Sequence, residues 1–352
     1  MDLPVIWFVL IAVLWIGYLV LEGFDFGVGM LLPVLGRTPA DRRVLLNSVG
    51  PFWDGNEVWI LTAGGAMFAA FPYWYATLFS GFYLALLLIL VALIIRALGF
   101  EYRAKIDDPQ WRKRWDIAIV IGSAVPALLW GVALANIVNG VPIDAHGEYT
   151  GTLFTLLGPV GLLGGLTTVA LFLTHGALFV ALKTDGPIRV RARRIALRTG
   201  PVAALLAVVL FVVLGSKHGS VQSWTAAAVA AIALLAALAA AARGREGWSF
   251  AGTVLTIGAA VVAMFAMLYP NVMPSTLDPA WSLTIHGAAS STHTLGIMTV
   301  VALIFTPIVL IYQGYTYWVF RRRISAQHVD PTVPVGLPSG DATREGSARA
   351  AG

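Results

Sequence analysis

The chain has 352 residues, of which 58% are apolar and 12% charged, and its mean hydropathy is +0.81. A soluble domain carries about 25% charged residues, so one water-facing surface around one core is excluded. At roughly 20 apolar residues per membrane span, the length allows up to about ten crossings. Cysteine is absent, which excludes disulfide staples, iron–sulfur clusters, cysteine-type zinc sites and a thiol nucleophile.

The chain opens Met1-Asp2-Leu3-Pro4, with no basic residue ahead of its first apolar run and no small-residue cleavage site after it. That run reads as a retained first helix. Apolar segments are marked near 4–35, 55–71, 75–100, 116–138, 154–182, 199–215, 222–242, 248–269 and 285–320. The expectation is an all-α polytopic membrane protein of about nine transmembrane helices. Spans one to four and five to eight would form two four-helix bundles, with the ninth alongside. Residues 1–324 would be the membrane domain. Residues 325–352, rich in Ser, Gly, Ala, Pro and charge, would be a disordered cytoplasmic tail.

Basic residues support nine crossings. The alternate connections 36–54, 101–115, 183–198 and 243–247, together with the tail, hold 21 of the 23 Lys and Arg. Lys217 falls on the opposite side and Arg96 inside a span; eight crossings would break the alternation. Short cytoplasmic loops collect Lys and Arg, so the N-terminus is expected outside and the C-terminus in the cytoplasm. The net charge of +5 is then a topology signal and not a nucleic-acid patch. Tryptophans near the span ends, Trp53, Trp59 and Trp74 among them, read as an aromatic belt at headgroup level.

A charged group at mid-bilayer costs about 2.5–3.5 kcal/mol on insertion scales, so ionisable residues inside spans are functional candidates. Glu22 and Asp25 share one face of the first span, three residues apart. Asp54 and Glu57 repeat that spacing where the second span begins. Arg96, followed by Glu101, stands near the inner end of the third. Three helices thus bring acids and a cation to a similar depth in the cytoplasmic half. Carboxylates in a low dielectric exchange protons nearer neutrality, which makes this set a candidate proton path. Blander readings stand beside it. Asp54 and Glu57 also suit a helix-capping pair. Arg96 could snorkel to the interface, or pair with Asp25 merely to lock helices together.

His175, His286 and His293 raise haem ligation, since iron commonly takes His or Met ligands. His286 and His293 are seven residues apart on one face, too far for one iron, and His175 is expected towards the other membrane side. The three read as hydrogen-bonded contact or interface residues. Gly23 and Gly27, and Gly161 and Gly165, form small-xxx-small pairs that permit close helix crossing. No Walker loop, dinucleotide fingerprint, HExxH or serine elbow occurs.

At these residues the chain resembles subunit II of the cytochrome bd-type quinol oxidases. The resemblance is carried by Glu22-Gly23-Phe24-Asp25-Phe26-Gly27-Val28-Gly29-Met30, by Arg42-Arg43 and Asn47-Ser48, and by Gly50-Pro51-Phe52-Trp53-Asp54-Gly55-Asn56-Glu57-Val58-Trp59. It continues through Thr62-Ala63-Gly64-Gly65-Ala66, Phe79-Ser80-Gly81-Phe82-Tyr83 and Arg96-Ala97-Leu98-Gly99-Phe100-Glu101-Tyr102-Arg103. Asn271-Val272-Met273-Pro274-Ser275 and Tyr317-Trp318 extend it to about residue 325.

The resemblance implies a subunit of an oxygen-reducing, quinol-oxidising enzyme of the aerobic respiratory chain, in the bacterial plasma membrane. It implies a haem-bearing partner, subunit I, with two b-type haems and one d-type haem, and no haem in this chain. It also implies small single-helix accessory subunits, contact with quinol and membrane lipid, and, in some members, a structural quinone that the sequence does not place. Protons for water would come from the cytoplasm. Carried onto this chain, the proton route takes in Asp25, Trp53, Asp54 and Arg96; Glu22 and Glu57 join it by position. Relatives often have the shorter acid where this chain has Glu22. The rival readings are a purely structural assembly subunit and a stand-alone proton-coupled transporter, which requires paired broken helices that the sequence does not display.

Overall fold

Proline recurs in the first turn of six helices, where its missing N–H would have had no helical partner. The computed structural model describes residues 2–325. Its helices are α1 (Leu3–Leu35), α2 (Pro39–Val49), α3 (Trp53–Ala70), α4 (Pro72–Gly81), α5 (Tyr83–Tyr102), α6 (Pro109–Asn139), α7 (Leu153–Leu156), α8 (Pro159–Lys183), α9 (Pro187–His218), α10 (Val221–Ala242) and α11 (Glu246–Leu268). A two-stranded antiparallel ribbon follows, β1 (Asn271–Met273) and β2 (Leu283–Thr284), then α12 (Ile285–Ala288) and α13 (Thr292–Val319). The tail expected over 325–352 lies, from residue 326, outside the described residues.

Among the described residues, eight helices are long and apolar enough to cross a membrane: α1, α5, α6, α8, α9, α10, α11 and α13. The second expected span, α3, is not one of them, because Asp54, Asn56 and Glu57 open it. Its path nevertheless crosses the bundle. Asn56 near its start bonds Asp25 of α1 at 2.7 Å, and Trp74 just beyond its end lies 6.5 Å from the Phe8 ring. It therefore runs antiparallel to residues 8–25 of α1, about 25 Å of helix. Three expected segments are interrupted. Phe82 separates α4 from α5, Gly158 precedes Pro159 between α7 and α8, and residues 289–291 part α12 from α13. Two others start earlier than their apolar runs. Asp108 caps α6 by accepting from the N–H groups of Gln110 and Trp111, and Pro187 opens α9, so the basic turns are helical too.

Helices α1, α3, α5 and α6 form one group and α8–α11 the other, joined where α8 packs on α1 and α6, with α13 leaning on α3 and α1. The join is close. A Cβ on Gly27 would sit 2.8 Å from Gly176 Cα and overlap the Phe172 carbonyl oxygen, so only glycine allows this crossing.

The arginines gather at one end. Arg42 and Arg103 pair with Asp116 at 2.7 and 2.5 Å, Arg191 with Asp41 at 2.7 Å, Arg189 with Glu246 at 2.9 Å and Arg323 with Asp185 at 2.9 Å. These pairs tie together the basic connections and the residues after α13. At the opposite end, Lys217 donates to Asn139 at 2.9 Å. Nearby, the 140–152 loop is stapled by Asp144, whose Oδ1 accepts from the N–H groups of His146 and Glu148. Those bonds, Glu148's first, hold the exposed Asp144 carboxyl below its ordinary range.

Candidate functional site

The middle of α1 is enclosed by α3, α6 and α8, which places Glu22 and Asp25 out of contact with the exterior. Arg96 reaches them from α5 and is likewise fully buried. Gly122 of α6 makes room for it: a Cβ there would lie 2.7 Å from the Arg96 Cβ. Arg96 Nη2 donates to Glu22 Oε1 and, at 2.5 Å, to Glu57 Oε1 of α3. Its guanidinium carbon sits 4.7 Å from the Phe26 ring centre and 5.8 Å from that of Phe100, so aromatic faces supplement the carboxylates. Arg96 does not snorkel, and its acids are Glu22 and Glu57 rather than Asp25.

Asp25 belongs to a second, adjoining set. Its Oδ2 accepts from Asn56 Nδ2 at 2.7 Å. Asn56 Oδ1 accepts in turn from Tyr317 Oη at 2.8 Å and Gln313 Nε2 at 3.3 Å. Gln313 Oε1 accepts from Trp59 Nε1 at 2.7 Å. Within these two sets, four buried atoms have no protein hydrogen-bond partner: Glu22 Oε2, Asp25 Oδ1, and Nε and Nη1 of Arg96. Buried polar groups of this kind are ordinarily satisfied by internal water.

The remaining sequence candidates are placed differently. Trp53 is half-buried and packs on Phe100, ring centres 5.3 Å apart, so it borders the Arg96 group. Asp54 is exposed in the first turn of α3 and makes no ion pair with Arg96. Asp54 and Glu57 are not a capping pair, since α3 has no side-chain cap bond. Glu57, with 22% of its side chain exposed, is the member of the Arg96 group that reaches outward. Asn56 and Tyr317 entered the sequence analysis only through the family resemblance and not as site residues, and Gln313 did not enter it at all. Gln313 had one available signal, being the sole side-chain amide of α13. Trp59 and Trp74 face inward rather than joining a belt: Trp59 bonds Gln313, and Trp74 is buried.

His175 is fully buried. Its Nδ1 lies 2.7 Å from Thr253 Oγ1 and its Nε2 3.0 Å from the Val20 carbonyl oxygen, and its ring stacks on Phe250 at 4.7 Å. Both ring nitrogens are thus engaged in joining α8 to α1 and α11. His286, 3.4 Å from Asp2, and His293 are exposed near the start of α1.

The family profile of cytochrome bd terminal oxidase subunit II matches residues 3–320. The chain belongs to that family. Among subunit II relatives, cytochrome bd-I ubiquinol oxidase subunit 2 of Escherichia coli K12 is 37% identical, with 92% of this chain and 96% of that one aligned. Cytochrome bd ubiquinol oxidase subunit 2 of Bacillus subtilis 168 is 39% identical over 93% and 97%. The probable cytochrome oxidase subunit 2 of Haemophilus influenzae is 40% identical over 92% and 96%. A chain of the bd oxidase structure from Geobacillus thermodenitrificans superposes with a TM-score of 0.73. That match covers 91% of this chain and 97% of the other at 18% identity, a likeness of fold. The Arg96 group of this subunit II therefore sits inside a multi-pass membrane scaffold, between helices of its first bundle.

Proposed function

We propose that this chain is the haem-free subunit of a quinol:oxygen oxidoreductase, that it stabilises a haem-bearing subunit I, and that its Arg96 group carries protons from the cytoplasm towards that partner. The relatives' names supply the quinol oxidase and, with the subunit numbering, the partner. The arginine-rich end is the cytoplasmic one by the positive-inside rule, which puts the N-terminus outside. The histidines do not suit a haem in this chain, because His175 has both nitrogens occupied and His286 and His293 lie near the other end. Haems in the partner would supply the electron chemistry and the reduction of oxygen.

One observation carries the reading: a single buried Arg96 amino group is shared by Glu22 and Glu57, two carboxyls from different helices. Glu57 is the outward member and Glu22 the enclosed one. A proton taken up at Glu57 passes along water at the free edge of Arg96 to Glu22 Oε2, and Asp25 Oδ1 extends the row. Trp53 covers the group beside Phe100, limiting bulk water. Asp54, exposed on α3, would serve as an entry or as a contact with the partner. A structural quinone would find apolar space in the cavity of about 480 Å³ between α8, α9, α10 and α11. Thr167 and Thr168 on its wall already donate to backbone carbonyls, so the cavity suits a hydrocarbon tail more than a headgroup.

The same ion pairs favour a second reading, in which the charges only lock α1, α3 and α5 together. Glu22→Gln in the purified complex separates the two. The proton-path reading expects oxygen consumption to fall about a hundredfold, the lower range for a lost proton-transfer group, with haem absorbance retained. Loss of haem absorbance together with assembly supports the locking role, and normal turnover ends the proton-path reading.

A further inference from the structure

An indole and two side-chain amides run in series from α3 to α13, back to α3 and on to α1. Trp59 Nε1 donates to Gln313 Oε1, Gln313 Nε2 to Asn56 Oδ1, and Asn56 Nδ2 to Asp25 Oδ2. Side-chain amides can be turned either way round, but here the far end decides. An indole nitrogen only donates. The oxygen of Gln313 must therefore face Trp59, and its nitrogen must face Asn56. That agrees with the sense of Asn56, whose oxygen faces α13, where the Tyr317 hydroxyl also donates to it, and whose nitrogen donates to Asp25 and, at 3.4 Å, to the Leu21 carbonyl oxygen. Asn56 has no exposed surface, so reversing it would set its oxygen against Asp25 Oδ2 with no water to intervene.

We propose that Trp59 and Gln313 are positioning residues for Asp25: they fix the direction of this chain so that a permanent donor holds Oδ2, and the proton is taken up and passed on at Oδ1. Oδ1 is the buried oxygen that has no protein partner. With one oxygen pinned, the carboxyl keeps one orientation through every cycle, and the exchanging atom stays on the same side. Removing the indole N–H takes away the donor that orients Gln313, and with it the fixed amide donor that Gln313 brings to Asn56 Oδ1. This inference rests on the reading of Asp25 as part of the proton path. Its contribution is to name the exchanging oxygen and the residues that select it.

The test uses the assembled oxidase carrying Trp59→Phe, which keeps an aromatic ring and removes the donor, and separately Gln313→Met. Oxygen consumption is followed across pH, and the carboxyl C=O band assigned to Asp25 is followed by redox-induced infrared difference spectroscopy. The expected result is an unchanged haem spectrum, a pH–rate profile displaced by about half a unit or more, and a displaced carboxyl band. Both displacements should vanish when the substitutions are made in an Asp25→Asn background, because nothing remains to be positioned. Profiles and bands that superimpose on the parent's would overturn the assignment, as would displacements that persist without Asp25. Normal turnover in Asp25→Asn alone would instead overturn the proton-path reading, and this inference with it.

Discussion

Lys183, the last residue of α8, donates its ammonium to the carbonyl oxygens of Phe320 and Arg322, at the end of α13. Most of α13 is exposed, and only Leu295 along its length is buried. The neighbouring backbone joins in, Ile324 N–H to the Lys183 carbonyl at 2.8 Å and Asp185 N–H to the Ile324 carbonyl at 3.3 Å. A cation at a helix C-terminus also meets the negative end of the macrodipole. Lys183→Met should therefore loosen the last turn of α13, at about 1.5–3 kcal/mol for a charged hydrogen bond. Hydrogen exchange over residues 318–324 should rise more than tenfold, while exchange in the middle of α6 stays as it was.

Gly27 and Gly176 set the distance between the two helix groups. Since a Cβ on Gly27 would meet backbone rather than a movable side chain, Gly27→Ala should cost about 1–3 kcal/mol or more. The thermal midpoint of the complex should fall and its yield with it. Gly247→Ala is the control, because a Cβ there meets nothing within 4 Å; its midpoint should stay within a degree or two of the parent's.

Arg96 offers a stability test separate from turnover. Arg96→Met removes the cation and leaves the fully buried Glu22 without it, a loss of about 3–5 kcal/mol when one partner of a buried pair is deleted. Adding Glu22→Gln should recover part of that loss, because the second change removes the stranded charge. Thermal unfolding of the single and double variants measures the recovery. A double variant no more stable than Arg96→Met would show that Glu22 is not the acid Arg96 serves.

Much of this arrangement is legible in the sequence, and the limits have physical causes. The alternation of Lys and Arg foretold which connections share an end, because the positive-inside rule is one-dimensional and needs no tertiary contact. Glu22, Glu57 and Arg96 stood out because charge in an apolar run is costly wherever it points. Which acid Arg96 would take was not legible. Glu22 and Asp25 share a helix face, and only the rotation of α5 against α1 chooses between them. Asp54 shows the converse: motif and spacing nominated it, yet it lies on the exposed side of α3. The pairing of Trp59 with Gln313 was hidden because a tryptophan near a span end has the composition of a belt residue. A lone amide in α13 likewise carries no sign of its partner. The shortfall of α3 in hydropathy has the same origin, since the residues that build the site are those that make the helix polar.

Asp144 supplies a pH test outside the membrane. Its carboxylate closes the 143–150 turn by accepting two backbone N–H groups, and its pKa is lowered in the folded chain. A group depressed in this way contributes stability above its unfolded pKa, about 3.9 for Asp. That contribution is lost as pH falls through the lower folded value. Asp144→Ala should therefore speed amide exchange at His146 and Glu148 by a constant factor between about pH 5 and 8. The difference from the parent should shrink only below about pH 4. A difference that already closes well above that pH would rule out the Asp144 carboxylate as the group that holds the turn.

His175 tests whether this subunit II ligates iron. Its two nitrogens engage Thr253 Oγ1 and the Val20 carbonyl oxygen, and its ring stacks on Phe250. His175→Phe keeps a flat ring of similar reach for that stack, but removes the hydrogen bonds to the Thr253 hydroxyl and the Val20 carbonyl, each worth about 0.5–1.5 kcal/mol. The hydroxyl has an alternative acceptor in the Phe250 carbonyl oxygen at 2.9 Å, so the penalty should come mainly from the α1 side. The variant should unfold at lower temperature, yet every haem component of its reduced-minus-oxidised spectrum should remain when normalised to assembled complex. Selective loss of one haem band from complexes that still contain both subunits would make His175 an axial ligand, and would end the placement of all the haems in the partner.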